Sequence, residues 1–158
     1  MMKILIVDDN ENSQMLLAKY LKNYGECICE DDGKKALGTF AEAHYDKAPF
    51  DLVLLDIMMP NIDGQKALKI MRKIERKWQV KPEYAAKIIM ATSVNSVDEM
   101  SKSLIDGDAN EYLVKPINFD ELSNFIDGLL DKRIDVQRCD ATEPNENAYL
   151  LSNSALIE

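Results

Sequence analysis

The sequence predicts an α/β fold in which a parallel sheet is covered by helices on both faces, a three-layer sandwich. Five short apolar runs alternate with helical periodicities, β-α repeated five times, and strands joined by helical crossovers imply parallel neighbours and right-handed connections. One run, Leu52-Val53-Leu54-Leu55, is continuously apolar, as suits a strand buried on both faces of a sheet. The polar residues with chemical potential follow the runs at their carboxyl ends, the edge where such sheets hold ligands.

Lys3–Val7 is the first compact strand, β1, followed at once by Asp8 and Asp9. From about Asn12 to Tyr24, Leu17, Tyr20, Leu21 and Tyr24 recur at i, i+3, i+4 and i+7, one face of a helix, α1, that Gly25 is placed to end. Cys27–Glu30 is β2, Asp31-Asp32-Gly33 a turn, and Lys34–His44 a helix, α2, weakened by Gly38 and carrying His44 on the surface. Asp51–Leu55 is β3. Helix α3 runs from about Gly64 to Trp78 with Ala67, Ile70, Met71, Ile74 and Trp78 on one side, and Asp63 reads as a turn residue before it. Lys87–Ala91 is β4, and a helix from about Val97 to Ile105, α4, closes near Gly107. Glu111–Val114 is β5, ended by Pro116; Asn118 or Asp120 then caps the last helix, α5, which carries Leu122, Phe125, Ile126 and Leu129.

A chain of 158 residues suffices for one domain with a real core and is short for two. Residues 1–132 read as that domain. Residues 133–158 read as a polar tail around Pro144, too short for a separate output domain. Three roles stand open for it, namely disorder, docking on its own domain, and pairing with a second copy through Tyr149, Leu150, Leu151, Leu156 and Ile157. Lysine and arginine total 19 against 28 aspartates and glutamates, a net charge of −9 that repels phosphate backbones and anionic membrane surfaces. The charge therefore argues against nucleic acid and membrane as partners, and no apolar run approaches the roughly 20 residues that span a bilayer. The opening Met1–Val7 reaches Asp8 after four apolar residues, short of the ~7–15 of a signal peptide. Three cysteines do not suggest a disulfide framework; Cys27 and Cys29 share a strand face and read as packing thiols. Cytoplasm is the natural compartment.

Asp8 and Asp9 after β1, Asp56 after β3, Thr92 after β4 and Lys115 after β5 converge on one sheet edge. Three carboxylates in one pocket repel unless a cation neutralises them. Oxygen-only ligands suit Mg²⁺, with Mn²⁺ an acceptable substitute; Zn²⁺ is disfavoured because the single histidine, His44, lies far off in the pattern. An aspartate at the end of a buried strand is rigidly held and open on one side, able to attack phosphorus and form an acyl phosphate. Lys115 offers a compact charge for a phosphoryl oxygen, Thr92 a hydroxyl for another, and Pro60 and Gly64 shape the loop after Asp56. Phosphoryl transfer asks little more than positioning and charge neutralisation.

Val7-Asp8-Asp9, Leu55-Asp56-Ile57-Met58-Met59-Pro60-Asn61-Ile62-Asp63-Gly64, Met90-Ala91-Thr92-Ser93 and Tyr112-Leu113-Val114-Lys115-Pro116 resemble the motifs of response-regulator receiver domains, in order and spacing, over about residues 2–131. Each is weak alone; in register at strand ends they are specific. The resemblance implies a flavodoxin-like sandwich with strand order 2-1-3-4-5 and Asp56 as phospho-acceptor. It implies Mg²⁺ held by Asp8, Asp9, Asp56 and the backbone carbonyl of Met58, and a phosphoryl group held by Thr92 and Lys115. The Lys115–Pro116 peptide would be cis, which is inexpensive only before proline. Tyr112 matches the aromatic that turns inward when Thr92 moves, re-shaping the α4–β5–α5 face.

The implied role is a stand-alone receiver, not a turnover enzyme, phosphorylated by a sensor histidine kinase and read by a protein effector. Self-association would use the α4–β5–α5 face or the tail. A relay that passes the group to a histidine of a phosphotransfer protein is the alternative. A Mg²⁺-dependent phosphatase with an aspartate nucleophile is a third reading, but such enzymes typically place an acid two residues on, where this chain has Met58. Ser93 departs from the small apolar residue that is usual after Thr92. Met58 and Val94 are apolar at the flanks of the pocket and would slow loss of the phosphoryl group by hindering water.

Overall fold

In the computed structural model, which describes residues 1–93 and 108–133, five parallel strands form one sheet in the order β2-β1-β3-β4-β5. The strands are β1 Met2–Val7, β2 Gly25–Glu30, β3 Leu52–Asp56, β4 Lys87–Thr92 and β5 Glu111–Val114. The helices among the described residues are α1 Glu11–Leu21, α2 Gly33–Tyr45, α3 Gly64–Lys77 and α5 Phe119–Arg133, with a 3-10 turn at Pro82–Tyr84. The expected α4, Val94 and the tail from residue 134 onward lie outside the described residues.

Side chains alternate across the sheet with the period of two that strands impose. Leu5, Val7, Val53, Leu55, Ile88 and Met90 pack on one face against Ala36, Leu37 and Phe40 of α2 and Ala67, Leu68, Met71 and Ile74 of α3. Ile4, Ile6, Leu52, Leu54 and Ile89 pack on the other against Leu17 and Leu21 of α1 and Leu122 and Ile126 of α5. All five residues of β3 are buried; it lies between β1 and β4 with a core on each side, which is why its sequence shows no polar alternation.

Helix starts follow side-chain caps. The Asn10 carboxamide accepts from the Ser13 amide, Asp32 from Lys34 and Lys35, Asp63 from Lys66, and Asn118 from Asp120 and Glu121. Asp63 is thus the cap of α3 and more than a turn residue, and Asn118, of the two candidates, caps α5.

Two expectations are corrected. Helix α1 ends at Leu21, with Lys22 as its cap, so Gly25 does not terminate it. Gly25 begins β2, and a Cβ there would lie 2.0 Å from the Met2 carbonyl oxygen; the glycine permits close approach of β1. His44 is not a surface residue: it is 7% exposed, lying between Phe40 at 5.0 Å and Trp78 at 6.1 Å between ring centroids. One apolar face of α2 meets α3 at this position, and helical spacing alone did not say how wide that contact is. Cys27 is half-buried and Cys29 exposed, both as free thiols.

Candidate functional site

Two strand ends supply the three acids. Asp8 follows β1, 2% exposed, and Asp56 closes β3, 5% exposed; Asp9, beside Asp8, is exposed. One carboxylate oxygen from each of the three lies within 4.8 Å of the others, a hard, all-oxygen donor set that fits Mg²⁺ or Mn²⁺. Backbone amides orient two of them. Asp8 Oδ1 accepts from the Asn10 amide at 2.9 Å, and Asp56 Oδ1 from the Met58 amide at 3.1 Å.

Lys115, just past β5, extends its ammonium to both buried acids, donating to Asp8 Oδ2 at 2.8 Å and Asp56 Oδ2 at 2.9 Å. The Lys115–Pro116 peptide is cis, as the resemblance implied. Burial opposes the charged ammonium, but the hydrogen bonds and charges of Asp56 and Asp8 outweigh it and its pKa is raised. Burial also raises the Asp56 pKa; the Lys115 ammonium and the Met58 amide pull it down without cancelling the shift, and the Asp8 charge adds to it. Lys115 therefore compensates the pocket only in part.

The loop after Asp56 turns back on it. The Gly64 amide donates to the Ile57 carbonyl at 3.0 Å, and a Cβ on Gly64 would lie 2.2 Å from the Asp56 carbonyl oxygen. Only glycine fits there, which ties the start of α3 to the pocket. Met58, 65% exposed, sits at the mouth.

Asp8, Asp9, Asp56 and Lys115 are brought together. The Thr92 side chain is wholly buried at the end of β4, its hydroxyl donating to the Ser93 carbonyl at 3.1 Å rather than to the acids. Tyr112 is 7% exposed, packed into the α2–α3 side of the core, and its hydroxyl has no hydrogen-bond partner among the described residues. Sequence reasoning missed the outer supports, including the Gln14 side-chain amide donating to the Asp8 carbonyl at 2.7 Å and Asn61 donating to Asp32 at 2.8 Å. The only signal for either was an amide residue near an acidic motif.

Comparison with known proteins agrees with this geometry. Residues 4–127 match the response regulator receiver domain. The chain is 38% identical over 122 residues to the regulatory protein AtoC of Escherichia coli, covering 77% of this chain and 23% of AtoC. It is 34% identical to the E. coli transcriptional regulatory protein HprR, covering 77% of this chain and 48% of that one. It thus spans less than half of either relative. Among solved structures, response regulator protein TrrA from Thermotoga maritima, in complex with Mg²⁺-BeF, matches with a TM-score of 0.61 at 34% identity, over 82% of this chain and 99% of TrrA. The receiver domain of Saccharomyces cerevisiae Ssk1, solved with the histidine phosphotransfer protein Ypd1, matches with a TM-score of 0.65 at 26% identity, over 79% of this chain and 86% of that one. With the strand order, the acid triad and the bridging lysine all in place, the chain belongs to the response regulator receiver domain family.

Proposed function

We propose that Asp56 accepts a phosphoryl group from a sensor histidine kinase in a Mg²⁺-dependent step, and that the chain acts as a switch rather than a turnover enzyme. The observation that carries this is the Lys115 ammonium shared at 2.8 and 2.9 Å between Asp8 and Asp56, at the open edge of three converging carboxylates. A carboxylate oxygen of Asp56 forms the bond to phosphorus while the bond from phosphorus to the donor nitrogen breaks, the nitrogen keeping the electron pair. Asp8 and Asp9, with Asp56 and the Met58 carbonyl, would hold Mg²⁺, which when bound supplies charge neutralisation for the phosphoryl oxygens. Lys115 would exchange its contact with the Asp56 carboxylate for a phosphoryl oxygen. Thr92 would give up the Ser93 carbonyl to donate to another, and the already inward Tyr112 would move with the space it leaves.

Met58, two residues after Asp56, is neither acid nor base, which supports a retained acyl phosphate over phosphatase turnover. The output activities of the longer regulators stay with those proteins. The partner is a histidine kinase or, as the Ssk1 resemblance favours, a histidine phosphotransfer protein. No described helix is long and apolar enough to cross a membrane, and a cytoplasmic setting fits the free thiols of Cys27 and Cys29. Intact-mass analysis after Mg²⁺ and acetyl phosphate is expected to show one phosphoryl increment in the wild type and none in Asp56→Asn. An unlabelled wild type, under conditions that label a known receiver, would defeat the proposal.

A further inference from the structure

We propose that Asp32 and Asn61 are positioning residues that latch the loop after Asp56 to the start of α2 and thereby set the cation affinity of the acidic pocket. This rests on the Mg²⁺ reading of that pocket and extends it to a pair of side chains outside the acids and Lys115.

The latch has three parts. Asn61 lies at φ 67, in the left-handed region that few non-glycine residues occupy and that asparagine enters more readily than most. The Ile62 amide donates to the Pro60 carbonyl at 2.9 Å across it, a three-residue turn whose positive-φ form is rare and strained. The Asn61 carboxamide then donates to Asp32 Oδ2 at 2.8 Å, while Asp32 Oδ1 caps α2 by accepting from the Lys34 and Lys35 amides. Behind this bond the backbones touch: a Cβ on Gly33 would lie 2.7 Å from the Ile62 carbonyl oxygen.

The same loop begins at the pocket. The Met58 amide holds Asp56 Oδ1 at 3.1 Å, and Gly64 returns against the Asp56 backbone. Between those fixed ends the chain is pinned at Asn61. Releasing that pin lets the turn relax and frees the segment that orients the Asp56 carboxylate and carries the Met58 carbonyl.

The test uses the full chain, with Mg²⁺ affinity measured by calorimetry and folding checked by circular dichroism and thermal melting. Asn61→Asp still tolerates positive φ but sets a carboxylate against Asp32. An added negative charge near a cation site would by itself tighten binding; loss of the latch weakens it. The expected result is a Kd about tenfold higher, at the lower end of what outer supports contribute to metal sites. The double variant Asp32→Asn with Asn61→Asp reverses donor and acceptor at wild-type net charge, and is expected to restore the Kd to within about twofold. A single variant that binds as tightly as wild type, or a double variant that does not recover, overturns the latch. If Asn61→Asp does not fold, Asn61→Gly is read in its place, with the same expected weakening and the same overturning result. A wild type that binds no Mg²⁺ overturns the pocket reading and the latch together, and so is told apart from failure of the latch alone.

Discussion

At the scale of single residues, Asp56 and Lys115 show that chemical readiness opposes stability. Burial raises the Asp56 pKa above its ordinary 3.8 despite Lys115, so the folded state prefers the protonated acid. A group with a raised folded pKa adds stability below its unfolded pKa and loses it as pH rises through the folded one. At pH 7 the ionised Asp56 is therefore a cost, and Asp56→Asn is expected to melt at a higher temperature than wild type in metal-free buffer near neutrality. An equal or lower melting temperature would refute this. Met58 tests the other end of the cycle. On the phospho-acceptor reading its exposed side chain screens the acyl phosphate from water, so Met58→Asn is expected to lose the phosphoryl group a few-fold faster, followed by intact mass over time. Asp8, Asp9, Asp56, Thr92 and Lys115 were legible because each follows an apolar run. The Asp32–Asn61 contact was not, since its partners stand 29 residues apart with no pattern linking them.

At the scale of elements, two packing sites invite measurement. His44 on α2 is buried beside Phe40 and Trp78, and desolvation lowers its pKa from 6.5 to about 4. A base with a depressed folded pKa gives full stability above its unfolded pKa of 6.5 and loses it as pH falls toward the folded value. The loss approaches about 3 kcal/mol. His44→Leu is expected to remove that share of the acid sensitivity, seen as a smaller drop in urea-unfolding free energy between pH 7 and pH 4; an unchanged drop would refute it. Helix α3 carries the second site. The Arg72 guanidinium donates to Glu75 at 2.7 Å, to the Ala86 carbonyl at 2.9 Å and to the Asp108 carbonyl at 2.8 Å, while Glu75 accepts from the Ala86 amide at 2.7 Å. This ties α3 to the start of β4 and the approach to β5. Breaking a buried pair from one side costs about 3–5 kcal/mol, so Arg72→Leu is expected to lose roughly that much in urea unfolding; a loss under 1 kcal/mol would mark the network as dispensable. Periodicity found α3 within one residue, but no local pattern marks Glu75 as buried, because beside Arg72 on its own helix its carboxylate takes the Ala86 amide, eleven residues on and just before β4.

At the scale of the whole molecule, the acidic site lies in a chain of net charge −9, so on the Mg²⁺ reading the fold and the cation are linked. A ligand that binds only the native state stabilises it by about 2.7 kcal/mol at a hundred times its Kd. Saturating Mg²⁺ is thus expected to raise the melting temperature of the wild type by several degrees, and that of Asp56→Asn by much less, measured side by side. Equal shifts would mean that the cation binds elsewhere. The sheet order was legible through the family motifs and the alternation of elements, since crossover helices leave few arrangements for five strands. The edges of elements were less so: Gly25 reads as a helix stop in one dimension and serves as a strand contact in three.

The ammonium of Lys115 has one further consequence. It already occupies oxygens of the two buried acids, so an arriving divalent ion enters a trade of counter-ions rather than a bare anionic hole. On the phospho-acceptor reading, net affinity would then be the difference between two attractions, which suits a signal that has to be erased. Replacing Lys115 by methionine should separate the two roles, with Mg²⁺ held more tightly and the phosphoryl group accepted more slowly.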